Sequence, residues 1–238
     1  MTTIDTRLRE VRRRIAVACA AAGRPADAVA LLAVSKTFGP DAVRQANMAG
    51  QRAFGENYIQ EAVDKMASLS DLGIEWHCIG PIQSNKTRLV ATHFDWAHTI
   101  DRFKIAQRLS EQRPADRPPL QACLQVNVDG GPTKSGIAPD EVAGLAAMVA
   151  ALPGLCLRGL MAIPEPAEDF SAQLAMHRKT AALFHAIAAS GLPGLARWDT
   201  LSLGMSADLE AAVQAGSTML RVGTAIFGDR GGAVRRGS

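Results

Sequence analysis

The sequence is poor in the features that mark many function classes. Aromatic residues make up only 5% of its 238 positions, too few for an all-β sandwich, which draws on valine, threonine and aromatic side chains. Its cysteines, Cys19, Cys78, Cys123 and Cys156, form no Cys-x-x-Cys pair. Neither a metal site nor a disulfide framework is therefore indicated, and reduced thiols are expected. No stretch approaches the roughly 18 apolar residues of a membrane span, and the N-terminus carries arginines and acids where a signal peptide needs an apolar run. A cytoplasmic protein with no membrane partner is expected. One-sided charge is missing too: 26 Lys and Arg against 23 Asp and Glu give a net +3, which requires no nucleic-acid partner. The five arginines of segment 7–14 accompany Ile4, Leu8, Val11, Ile15 and Ala18 at helical spacing, and a solvated helix face is expected of them.

Chemical fingerprints are scarce as well. Ser35, Lys36 and Thr37 follow the first β-like run, where a dinucleotide fold would place Gly-x-Gly-x-x-Gly, and the Gly-Gly-Pro-Thr-Lys-Ser-Gly of 130–136 has the wrong spacing for a Walker loop. Neither His-Glu-x-x-His nor Gly-x-Ser-x-Gly occurs, so zinc peptidase and α/β-hydrolase chemistry have no foothold.

What is there is 47% hydrophobic residues, many of them alanine, a composition that suits a helix-rich α/β protein. Short β-like runs cover 30–37, 53–57, 75–80, 95–100, 120–128, 157–163, 200–205 and 218–228, with helical candidates such as 40–49, 139–152, 169–189 and 207–215 between them. Eight strands alternating with helices predict a parallel (β/α)8 TIM barrel. No Pro, Gly or Ser tract is long enough for a linker. One domain over 1–238 is therefore expected, with an N-terminal helix within 1–28 packed on the barrel and a short basic tail at 229–238.

In such a barrel the chemistry sits at the C-terminal ends of the strands. Lys36 ends the first run and by period two shares a face with Leu32 and Val34. If that face is the inward one, desolvation favours its neutral amine, which is a nucleophile toward aldehydes. At the other end of the sequence, Gly204, Met205 and Ser206 close the seventh run, and Arg221, Gly223 and Thr224 lie in the eighth. Loops after these two strands are the recurrent phosphate site of the fold, so Ser206, Gly223 and Thr224 are candidate phosphate contacts. Each has a plainer alternative: Lys36 as a strand-end lysine reaching solvent, Ser206 as a helix N-cap, Arg221 as a rim ion pair. Together, an amine and a phosphate cradle across one barrel mouth describe a site for pyridoxal 5′-phosphate (PLP), with Arg221 placed to reach a pyridine nitrogen.

The segments LAVSKT (32–37), FGENY (54–58), EWHCIGPIQSNK (75–86), RGLMAIP (158–164), LSLGMS (201–206) and GSTMLRVGTAIFG (216–228) occur in this order. With them the chain resembles the PLP homeostasis proteins, the YggS/PROSC family, over nearly its whole length after the first helix. The resemblance implies the barrel of fold-type III PLP proteins, as in the N-terminal domain of alanine racemase, with Lys36 as the Schiff-base lysine. It further implies Arg221 as partner of the pyridine nitrogen, Ser206, Gly223 and Thr224 as phosphate contacts, Asn57 near the ring and its 3′-oxygen, and Met205 contributing by backbone and packing. His77, Gln83, Asn85 and Lys86 match the third-strand motif without an assignable role. A rim position is expected for His77. Lys134, Ser135 and Gly136 match a loop motif, in which Lys134 is either a second amine near the mouth or a solvated loop lysine.

The implied function is cofactor homeostasis: a monomer that stores PLP or delivers it to PLP-dependent apo-enzymes, with little or no turnover. An arginine partner agrees with this. It donates to an unprotonated ring nitrogen and leaves the ring a weak electron sink. Racemases of this fold also use a second acid/base from a partner's β-domain, and none is expected within the ten residues that follow Gly228. The alternatives are a slow PLP-dependent racemase, or another PLP enzyme, and a phosphate-ligand barrel in which Lys36 acts only by its charge.

Overall fold

The computed structural model describes residues 3–131 and 134–228; the tail expected at 229–238 lies outside the described residues. Strands β1 (Ala30–Val34), β2 (Ala53–Glu56), β3 (Glu75–Cys78), β4 (Trp96–Ile100), β5 (Leu120–Gln125), β6 (Leu155–Met161), β7 (Thr200–Ser202) and β8 (Met219–Val222) pair in parallel in chain order. β8 returns to β1, with Leu32 beside Arg221 and Ala33 beside Val222, and closes the barrel.

Helix α1 (Ile4–Ala21) starts at Thr3, whose hydroxyl accepts a hydrogen bond from the Thr6 amide at 3.2 Å. The remaining helices are α2 (Pro40–Met48), α3 (Ile59–Ser68), α4 (Thr87–His93), α5 (Phe103–Glu111), α6 (Val142–Ala150), α7 (Phe170–Ala189), α8 (Leu209–Gln214) and α9 (Thr224–Phe227). Among the described residues no helix is long and apolar enough to cross a membrane.

The strands are shorter than the apolar runs that announced them, and the reasons are local. β1 stops at Val34 because Thr37 takes a left-handed turn, at φ 70°. The last run, expected as strand over 218–228, divides at Gly223: β8 ends at Val222, and Thr224 opens the single turn of α9. The fifth run ends at Gln125, after which Val126 bridges to Ile137 across the following loop.

Alternation along the strands sorts side chains into two cores. The outward residues, Ala33, Phe54, Leu124, Leu160, Leu201 and Leu220 among them, pack against the helices in one large apolar cluster. Inside the barrel lies a small one, Leu32, Trp96, Cys123, Met161 and Met219. Between outward-packed neighbours, His77, Ser202 and Arg221 therefore face the interior, all buried. The interior thus carries polar groups from both sides of the barrel, on β3 and on β7 and β8, where an ordinary barrel core is packed with branched apolar residues.

The buried stripe of α1, Leu8, Val11, Ile15 and Ala18, lies along α8, α9 and α2. Its arginines are only partly the solvated face that was expected. Arg9 and Arg13 pair along the helix with Asp5 and Glu10. Arg12, however, donates to the Ala49 carbonyl at 3.0 Å, and Arg14 grips Glu210 with Nε and Nη2 at 2.8 and 2.9 Å. The covalent spacing along α1 hides this, because the partners come from the far ends of the barrel wall.

The tightest point of the sheet is Gly159 in β6, where β5 and β6 slip in register. A Cβ there would lie 1.8 Å from the Thr200 carbonyl oxygen, at φ 153°. Gly159→Ala is expected to destabilise the barrel by more than about 2 kcal/mol, read as a lowered urea midpoint, whereas Gly144→Ala, in the open on α6, should raise the midpoint slightly, by up to about 1 kcal/mol of helix propensity.

Candidate functional site

Lys36 sits in the turn just past β1, half-buried, and meets no hydrogen-bond or ion-pair partner among the described residues. It is thus less enclosed than a lysine at the top of a packed interior would be, and it is held from behind. Ser35 is buried and donates to Glu56 Oε1 at 2.6 Å; Lys65 donates to the same oxygen at 2.6 Å and to the Ser35 carbonyl at 3.0 Å. Glu56 is 2% exposed and the Lys65 side chain 9%, so this is a buried ion pair whose remaining valences the Lys36 turn fills. Thr37, next in the chain, is the only non-glycine among the described residues with positive φ. Such strain persists only where the surroundings enforce it. Phe38 provides the anchor, its ring stacked at 5.0 Å on Phe227 of α9.

That stack ties the lysine turn to the turn after β8. Gly223 passes so close to β1 that a Cβ would sit 3.2 Å from the Val34 carbonyl oxygen. Beyond it the Thr224 hydroxyl lies 3.1 Å from that of Ser206, which also receives the Ala225 amide at 3.4 Å. Two hydroxyls and an amide from two turns thus converge at the C-terminal mouth. Ser206 is not the cap of α8. The helix begins three residues later, and its N-cap position is Asp208, whose side chain bonds no first-turn amide and instead turns back, Oδ1 accepting the Met205 amide at 2.7 Å. Asp208 Oδ2 is held at 2.9 Å by His177 Nε2 from α7. Burial works to raise the Asp208 carboxyl, but the His177 ring, the Met205 amide and the charge of Arg221 outweigh it and hold the carboxyl below its ordinary value. Arg14 steadies the same loop, donating to the Ser206 carbonyl at 3.2 Å. Met205 itself is 39% exposed at the rim.

Arg221 is not a rim ion pair. It is buried inside the barrel, with Nη1 donating to the Ser202 carbonyl and hydroxyl, both at 2.7 Å, and Nη2 to the Ala162 carbonyl at 2.9 Å. Burial lowers its pKa to about 10, so it is a cation at neutral pH. A guanidinium has five N–H donors; Nε–H and one Nη2–H therefore stay free of those contacts. Asn57 follows β2, half-buried, its backbone so close to Gly80 that a Cβ on the glycine would meet the Asn57 carbonyl oxygen at 2.2 Å.

Other candidates are not drawn in. His77 is fully buried in the barrel, not at the rim, because the inward register of β3 places it between Trp76 and Cys78, which face the helices. Gln83 and Asn85 are exposed, and Lys86 reaches Gln60 at 3.3 Å. Lys134 is not a free amine: Asp129 and Glu165 hold its Nζ at 2.8 and 3.0 Å. Burial opposes the charge, but the two carboxylates prevail and raise its pKa. Glu56, Lys65, His177, Asp208 and Arg14 support the site, and sequence reasoning assigned them no such part. Only Glu56 carried a signal, its place in the FGENY segment.

Residues 6–231 match the family model described as alanine racemase, N-terminal domain. The pyridoxal phosphate homeostasis proteins of Pseudomonas aeruginosa and Escherichia coli are 56% and 52% identical to the chain, covering 97% of it and 97% and 98% of their own lengths. PipY of Synechococcus elongatus, solved with PLP bound, is 35% identical, with a TM-score of 0.83 over 95% of this chain and 100% of its own. The alanine racemase of Corynebacterium glutamicum shares the fold alone, at 17% identity and a TM-score of 0.64 over 94% of this chain and 61% of that one.

The buried pair behind Lys36 makes a clear stability test. Glu56→Ala leaves the Lys65 ammonium uncompensated and should cost about 3 to 5 kcal/mol. The double replacement Glu56→Gln with Lys65→Met should cost far less, and chemical denaturation of the three proteins measures the difference.

Proposed function

The chain belongs to the alanine racemase N-terminal-domain family, among its pyridoxal phosphate homeostasis proteins, and from that premise we propose that it binds PLP at the C-terminal mouth of the barrel and serves cofactor storage or delivery. The observation that carries this is one mouth holding a half-buried, unpaired lysine amine beside converging hydroxyls of Ser206 and Thr224. When bound, PLP supplies an aldehyde that condenses reversibly with a primary amine and a ring that withdraws electrons.

The residues present fit that group. Ser206, Thr224 and the Ala225 amide offer donors to a phosphate, and Gly223 is a place where a side chain would meet Val34 instead of leaving room. Lys36 provides the amine. Arg221, pinned by Ser202 and Ala162, keeps N–H donors for a ring nitrogen that carries a lone pair. As a buried cation it disfavours protonation of that nitrogen, so the chain restrains the cofactor and does not drive carbanion chemistry. Lys134, the other amine considered at the mouth, is engaged by two carboxylates and is a poor proton acceptor. The exposed side chains of Met205, Tyr58 and Ile163 support a role in delivery to apo-enzymes.

Borohydride treatment of the PLP-loaded protein followed by peptide mapping should place the label on Lys36, and Lys36→Ala should lose it; a label found mainly on Lys134 or Lys86 overturns the assignment. Thr224→Val removes one donor to a charged phosphate while keeping the side-chain shape. That costs about 1.5 to 3 kcal/mol, or roughly one to two decades in PLP affinity, measurable by fluorescence titration. An unchanged affinity in the folded variant would put the phosphate elsewhere.

A further inference from the structure

The polar groups inside the barrel that cofactor binding does not use form a line. Glu75 opens β3 at the N-terminal mouth, its side chain 51% exposed, and lines a hollow of about 540 Å³ with Trp96, Arg113, Arg158 and Arg197. Its Oε1 lies 2.8 Å from Nε2 of His77, and Nδ1 of His77 lies 2.9 Å from Nε2 of His98. Both rings are fully buried. Nδ1 of His98 is buried too and meets no hydrogen-bond partner among the described residues. Packing fixes the ring planes: His77 stacks on Trp96 at 5.2 Å and 9°, and the Arg158 guanidinium lies over the same indole, 4.9 Å from its centroid.

The hydrogens can be assigned by elimination. The bond to His77 holds the Glu75 carboxyl below its ordinary value despite partial burial, so Glu75 is ionised and can only accept. Burial lowers both imidazoles, that of His98 strongly, so both are neutral near pH 7. Nε2 of His77 must then carry its proton and donate to Glu75. Nδ1 of His77 is left as an acceptor, and the proton between the rings belongs to Nε2 of His98. A neutral His98 has no other, and its Nδ1 presents a lone pair. Arg221 faces the same interior from β8, four strands from β4 around the barrel, and its charge is felt at His98.

We propose that Glu75, His77 and His98 form a tautomer relay: an exposed carboxylate at one mouth dictates, through two neutral imidazoles, that His98 offers the barrel interior an acceptor. Its complement in the same interior is an N–H that Arg221 does not give to Ser202 or Ala162, and one buried water would join the two. The three residues are positioning residues for Arg221, and their opposite tautomer would present a donor toward a cation. Only this purpose rests on the cofactor-binding role; the tautomers stand on the protein alone.

Two-bond proton–nitrogen correlation spectra of the cofactor-free protein, labelled with ¹⁵N-histidine, test the relay directly. At pH 7, His77 and His98 should both be neutral with the proton on Nε2. Glu75→Gln retains an accepting oxygen and should preserve this pattern. Glu75→Lys can only donate and should convert both rings to the Nδ1–H form; if the charge reversal prevents folding, Glu75→Ala should leave mixed tautomers at both. A parent His98 protonated on Nδ1, or a His98 tautomer indifferent to position 75, overturns the relay. Loaded with PLP, Glu75→Lys should bind about tenfold more weakly, the loss of one hydrogen bond to a charged group, and Glu75→Gln should match the parent. Inverted tautomers with unchanged affinity overturn the positioning of Arg221. A parent that takes up no PLP overturns the cofactor role while the spectra still judge the relay.

Discussion

Everything at the mouth of this barrel depends on the closure of β8 against β1. The register that sets Leu32 beside Arg221 and Ala33 beside Val222 carries Gly223 against Val34 and brings the turn after β8 to the turn after β1. Residues separated by most of the chain, Lys36 and Thr224, are thereby brought to one mouth of the barrel. A slip of one residue would turn Arg221 to the helices and Val222 to the interior, since side chains alternate along a strand. The stack of Phe38 on Phe227 then fixes the two turns to each other, with no need for either loop to be stiff by itself.

The closure is supported by polar groups placed where an ordinary barrel is apolar. The Glu56–Lys65 pair, the His177–Asp208 pair and Arg14 with Glu210 each hold a turn from outside the site. Within the barrel, Ser202 and the Ala162 carbonyl fix Arg221, and the imidazoles of His77 and His98 lie in the same interior. Burying such groups costs free energy unless each is paired. The observed pairs offset that cost and leave donors and acceptors pointing inward. The same economy explains why Lys134 takes no part: its two carboxylates satisfy it within its own loops.

Much of this was legible in the sequence. The spacing of eight apolar runs determined the barrel, and it offered Lys36 and Ser206, at run ends, and Thr224, inside the last run, as candidates for its mouth. The runs overstated the strands at their C-terminal ends, because Thr37 and Gly223 end strands through backbone conformation, which hydrophobic patterning does not record. Tertiary structure alone decided that Ser206 faces Thr224 and does not cap a helix, that His77 lies inside the barrel, and that Arg14 reaches across to Glu210. The physical reason is common to all three. A sequence carries the period of a strand or a helix, but the partner of a polar side chain is set by register and closure, which join positions far apart in the chain.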